Sequence, residues 1–311
     1  MTFLRHSFLA LAFGLATYVP SFAQKAPSAD TLNPAGLTLI APGATLKKVS
    51  SQFTFTEGPA VDKQGNIYFT DQPNDKIYKY DTDGNLTQFA EKMGRSNGLY
   101  IDRKGNILSC ADEKNELWSI NPKTQEVTVL MKDYEGKKHN GPNDLWPDRK
   151  GGIYFTDPFY PRPWWSHKQP FLTAQNVYYL PKGKTQAVMV ATDLKQPNGI
   201  VGTPDGKYLF VADIRDSKTY KYDIGKDGSL ANRQLFTEMG SDGITIDKQG
   251  NVYMTGRGVT VFDPTGKKLM NIPVPAKWTA NLCFGGKDRK TLFITASESV
   301  YVLPMAVQGV E

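Results

Sequence analysis

Apolar and polar positions along this chain fall into one unit that returns six times. Its clearest copy lies within His139–Tyr160 (HNGPNDLWPDRKGGIYFTDPFY). A polar turn ends at Asn143, a D-x-K-G turn follows at Asp148–Gly151, and Ile153–Asp157 (IYFTD) is aromatic and β-branched. Such a run, bounded by turn residues, predicts a strand. The pattern recurs as VDKQGNIYFTD from Val61, IDRKGNILSCAD from Ile101, GTPDGKYLFVAD from Gly202, IDKQGNVYMTG from Ile246 and GGKDRKTLFITA from Gly285. The copies are roughly 40–55 residues apart, the period of propeller blades.

Each repeat holds more than this pair of strands. In the first, Pro59–Asp62 begins an inner strand, Ile67–Thr70 is a second, Lys76–Asp81 a third and Leu86–Glu91 a fourth, with Gly, Asp and Asn in the turns between. Four short strands per repeat predict a blade, and six repeats an all-β, six-bladed β-propeller over residues 37–311. A β-sandwich is the competing all-β architecture, but it gives no reason for a sixfold motif. The last repeat stops after its third strand, at Val300–Leu303, and Thr45–Ser50 has no blade of its own. The N-terminal strand is therefore expected to complete the last blade and remove an exposed edge.

Composition changes this picture at the N-terminus. Arg5, an apolar run from Phe8 to Val19 and Ser-Phe-Ala before Gln24 predict a secretory signal peptide over residues 1–23, cleaved near Ala23. The run is too short to span a membrane, and no stop-transfer pattern follows it. Residues 24–36, rich in Pro, Ser and Ala, predict a flexible lead-in, and the mature chain is expected to be secreted or periplasmic. The formal charge is +6, but Lys63, Arg103, Lys104, Arg149, Lys150 and Lys248 sit in separate turns. They read as solvated hairpin tips, and no nucleic-acid partner is expected without a contiguous stripe. Cys110 and Cys283 lie in strand-like runs of distant repeats and are expected to be buried free thiols, although a secreted chain is able to pair cysteines. Monomer and homodimer both remain open.

Just before each copy stands one polar residue: Glu57, Asn97, Asn143, Asn198, Asp242 and Asn281. One such residue per blade, at an equivalent place, points six oxygen-bearing side chains at a common axis. Carboxylates and amide carbonyls are hard donors. A shared site would suit one divalent cation, Ca²⁺ first, with Mg²⁺, Mn²⁺ or Zn²⁺ as substitutes. The bland alternative is that they satisfy blade termini, since Asn-Gly and Asp-Gly are ordinary turn pairs. Because strands alternate in direction, the link between second and third strands shares the face of these residues. In the third repeat that link is the long segment Pro158–Asn176. Its Tyr160, Arg162, Trp164 and Trp165 are candidate substrate contacts, with Asn97 and His139 beside them. Asp71, Asp112, Asp157 and Asp213 each end a second strand and are expected to cap the turns that follow. No G-x-S-x-G motif, Cys/His dyad or phosphate loop supports a covalent nucleophile.

TEGPA, HNGPNDL, QPNGIVGTPDGKYLFVAD, SDGITID and CFGGKDRKTLFITA together resemble the regucalcin/gluconolactonase family of six-bladed propellers, over the whole mature chain. The resemblance implies a single catalytic divalent ion held by Glu57, Asn143, Asn198 and Asp242, and hydrolysis of a small lactone with Asp242 helping to activate water. His139 or Asp157 would be able to share the proton. Two positions depart from the animal sugar lactonases: Gly141 stands where they have Arg, and Asn97 where they are apolar. With the aromatic insert, these point to a different or larger lactone and to the secreted bacterial members. A non-catalytic binding propeller and a phosphotriesterase-like hydrolase using the same ion are the alternatives.

Overall fold

The computed structural model describes residues 38–310, so the expected signal peptide and flexible lead-in lie outside the described residues. Within them the chain forms six four-stranded antiparallel sheets. The first blade comprises Thr56–Val61, Ile67–Asp71, Lys76–Tyr80 and Leu86–Glu91, hydrogen-bonded in that order. The next four repeat this order, and the sixth is closed as expected. Lys47–Ser50 pairs with Ser299–Pro304, with Lys47 opposite Val302 and Lys48 opposite Tyr301.

The repeated turn has a local cause. In the first copy the Asp62 carboxylate accepts the backbone N–H groups of Gln64 and Asn66, each at 2.9 Å, and the Asn66 amide at 2.8 Å. Asp102 with Asn106 and Asp247 with Asn251 do the same. An Asp that caps its own turn and a Gly that supplies positive φ fix the hairpin without tertiary help.

Inner strands such as Thr56–Val61 and Pro197–Gly202 are buried along their whole length, while fourth strands such as Val188–Ala191 are partly exposed. Between blades the first and second strands pack together. Trp146, Tyr154, Leu209, Phe210 and Ile244 belong to one continuous apolar cluster across the third, fourth and fifth blades. Burial of this kind, about 1.5–3 kcal/mol per large side chain, holds the ring rigid around its axis. Cys110 and Cys283 are buried and not joined in a disulfide.

Candidate active site

The axial residues are set by how closely neighbouring blades approach. Four are followed by glycine, and in each case the next blade's polar residue packs where a side chain would stand. A Cβ on Gly98 would lie 2.6 Å from Asp144 Oδ1 and 2.7 Å from the Asn143 carbonyl. On Gly243 it would strike the Asn281 side chain, with Asn281 Cα at 2.7 Å. The glycine here answers to close approach rather than to a turn. Second-strand threonines then bolt the ring together. The Thr70 hydroxyl donates to the Asn97 carbonyl at 3.2 Å, and Thr156 to that of Asn198 at 2.8 Å.

At the axis, Asn198 Nδ2 donates to Asp242 Oδ1 at 2.7 Å and to the Tyr160 hydroxyl at 2.9 Å. The other Asp242 oxygen accepts the Trp278 indole N–H at 2.6 Å. Glu57 accepts the N–H of Gly58 at 3.0 Å and a hydrogen bond from Asn281. Asn143 is buried at the matching place of the third blade, its carbonyl taking the Gly98 N–H at 2.8 Å. Two participants go beyond the six axial residues, and a third, Asn281, is one of the six but not of the four implied ligands. Asp144 replaces the glycine seen after other axial residues, and its Oδ2 faces Asn281 Nδ2 at 3.4 Å. Trp278 is the other. For Asp144 and Asn281 the sequence did hold a signal: both break the rule of glycine after the axial residue or flank that break.

Electrostatically the cluster is a concentration of negative charge. Burial pushes the Glu57 carboxyl well above the ordinary range, and the Asp242 and Asp144 carboxylates add to the effect. Burial raises Asp242 as well and lifts Asp144 to about 7. Among the described residues no Lys, Arg or His ion-pairs with any of the three. The Oδ1 atoms of Asn97 and Asn198 are buried without a partner. Crowded carboxylates beside orphaned amide oxygens are the donor set that a hard divalent cation satisfies.

The insert reaches this cluster through Tyr160 alone of its expected contacts. Arg162 Nε and Trp164 Nε1 bind the Asp112 carboxylate at 3.2 and 3.0 Å, and Trp165 Nε1 the Asp112 carbonyl at 3.0 Å. Trp165 is buried beneath the loop, against Gly141. It anchors the insert, and so is not available as a substrate contact. Arg162 still lies close enough to Asp242 to favour its charged form. Trp164 stacks between the guanidiniums of Arg95 and Arg162.

His139 is likewise placed elsewhere. It is fully buried among Tyr134, Phe155 and Tyr178, with Nδ1 3.2 Å from Asp157 Oδ2. Asp157 also accepts the N–H groups of Asn140 and Gly141. The pair braces the third blade and, among the described residues, has no hydrogen bond to the axial cluster through which to share a proton. Asp71 and Asp213 work in the same way. They hold the backbone that enters their own blade, at Thr54–Phe55 and Lys195–Gln196, more than the turns that follow. Asp112 is the exception, and it grips the insert instead.

The family profile described as the SMP-30/Gluconolactonase/LRE-like region matches residues 55–298. This chain belongs to that family. It is 28% identical to a gluconolactonase of Zymomonas mobilis subsp. mobilis, over 82% of this chain and 80% of that one. It is 26% identical to a diisopropyl-fluorophosphatase of Loligo vulgaris, over 81% and 88%. The solved structure of a Xanthomonas campestris gluconolactonase superposes with a TM-score of 0.82 at 28% identity, covering 88% of this chain and 94% of that one.

Proposed function

We propose that this protein is a divalent-metal-dependent hydrolase of small lactones. The observation that carries the reading is the axial cluster of three unneutralised carboxylates and orphaned amide oxygens, in a chain of the gluconolactonase family. Glu57, Asn143, Asn198 and Asp242 would hold the cation, Ca²⁺ by the hardness of the donors, with Asp144 as an additional nearby charge. Bound there, the cation supplies Lewis acidity toward the ester carbonyl and a place for developing negative charge, worth several kcal/mol.

The chain's own residues do the rest. Asp242 is the general base toward a water molecule. Its carboxylate is fixed at both oxygens, by Asn198 and by Trp278, so its lone pairs keep one direction. Tyr160 stands over Asn198 and orients the ring-bearing substrate from the mouth. Arg162 and Trp164 form the outer wall, held by Asp112. The mature protein acts outside the cytoplasm, after loss of residues 1–23.

A pH-stat screen of sugar and aliphatic lactones, with and without chelator, tests the proposal. Metal-dependent proton release on at least one lactone is expected; hydrolysis indifferent to chelator, or none, would reject it. The likeness to the Loligo fluorophosphatase favours one second reading, a phosphotriesterase on the same centre. Including a fluorophosphate ester in the screen separates the two.

A further inference from the structure

The channel has a second mouth, on the face of the Asp-capped hairpin turns. A cavity of about 790 Å³ opens there. Its walls are the far ends of the inner strands and their neighbours: Val61, Tyr100, Leu108, Trp146, Ile153 and Cys283. Eight Lys or Arg residues and only two acids line it. The turns that look scattered along the sequence are gathered by the ring, and the first three blades bring Lys63, Arg103, Lys104, Arg149, Lys150 and Lys182 to one rim.

The two acids do not balance this charge. Asp102 is spent on the N–H groups of Lys104 and Asn106, both at 2.8 Å, and on the Asn106 amide. Asp148 takes the N–H groups of Lys150 and Gly152 and the Tyr179 hydroxyl at 2.7 Å. Lys63 donates to the Arg103 carbonyl and Lys150 to that of Lys226. Arg103, Lys104, Arg149, Lys182 and Lys184 are exposed, and none has an ion pair among the described residues. The opposite side of the mouth is narrowed by the C-terminal segment. Gly309 bridges Asp247, its N–H reaches the Arg289 carbonyl at 2.9 Å, and Val310 faces the cavity.

We propose that this second mouth binds a small amphipathic anion: one carboxylate or sulfonate on an aromatic or short alkyl body. The volume lies within the range of small-molecule sites, which are apolar with a few polar groups at fixed points. Cations of one sign around low-dielectric walls focus the field onto an entering anion. An inorganic anion would meet only the rim, and a neutral apolar molecule only the walls. An amphipathic anion satisfies both.

The probe is 1-anilinonaphthalene-8-sulfonate, titrated by fluorescence into the full-length protein, with octanoate, octanol and inorganic phosphate as competitors. Saturable binding is expected, displaced by octanoate at concentrations where octanol and phosphate have little effect. The double variant Arg149→Glu, Lys182→Glu, altered only at exposed positions, should bind the probe at least tenfold more weakly, with unchanged melting temperature and lactone hydrolysis. Equal binding by that variant overturns the proposal. So does equal displacement by phosphate, which marks an adventitious ion only, or loss of the probe with Glu57→Gln, which places it at the other mouth.

Discussion

Asn198 gives its amide N–H to Asp242 at 2.7 Å and keeps its own Oδ1 buried and unpartnered. A buried carbonyl oxygen left without a donor costs about 1–3 kcal/mol, so a cation that accepts it gains what the apo site loses. Calorimetry should therefore find one Ca²⁺-type site, of micromolar to millimolar order for so few carboxylates. Glu57→Gln and Asn198→Ala should each weaken it by about tenfold or more. Unchanged binding in both variants would remove the cation from this cluster.

Asp242→Asn keeps the size of the side chain and one oxygen donor but removes the base. Metal binding should remain measurable, while kcat for lactone hydrolysis falls roughly 10²-fold, a usual general-base effect. Near wild-type turnover at saturating metal would move the base elsewhere, with Asp144 the next candidate.

Trp278 supplies the only hydrogen bond seen on Asp242 Oδ2 among the described residues. Trp278→Phe deletes that donor and keeps the ring. A hydrogen bond to a charged group is worth about 1.5–3 kcal/mol, so kcat should drop about ten- to a hundredfold with KM little changed. A change confined to KM would mean that the indole serves the substrate and not the carboxylate.

Asp112→Ala frees Arg162 and Trp164 together, while Trp165 keeps its bond to the backbone carbonyl of residue 112. The outer wall formed by Arg162 and Trp164 then loosens, and KM should rise on the order of tenfold with kcat nearly preserved. If both parameters stay put, the insert is held in place by its remaining contacts, such as Gln196 to the Phe159 carbonyl.

Gly98→Ala forces a methyl group against Asp144 and the Asn143 carbonyl. Overpacking of a rigid interior costs about 1–3 kcal/mol, a fall in melting temperature of roughly 3–10 °C for a domain of this size. The metal site should weaken in parallel, because the same contact spaces two blades at the axis. A calorimetric scan matching wild type would show that the ring yields more easily than its packing implies.

Much of the fold is legible because its signals are local. Asp62 and Asn66 build their turn from five residues, and six such turns with one strand too few at the end already specify a closed ring. The axial positions are legible for the same reason, as equivalents in a repeat. What closure brings together is not. Trp278 meets Asp242 from another blade, and Asp144 meets Asn281 across the axis, at separations no spacing reveals. His139 follows a loop in sequence yet is sealed under three aromatic rings, since burial there is decided by the fold of the neighbouring insert and strands. The basic rim was hidden in the same way: residues that look dispersed in one dimension converge when their turns are set on a circle.

The clasp between Lys47–Ser50 and Ser299–Pro304 ties one more thing to closure. During synthesis the first of these strands leaves the ribosome long before its partner exists. It must stay unpaired, or pair wrongly, until Ser299–Pro304 has been made. Completion of the circle therefore waits for Ser299–Pro304. A product lacking Lys47–Ser50 or Ser299–Pro304 leaves the remaining strand of the pair without its partner, a raw edge more open to aggregation.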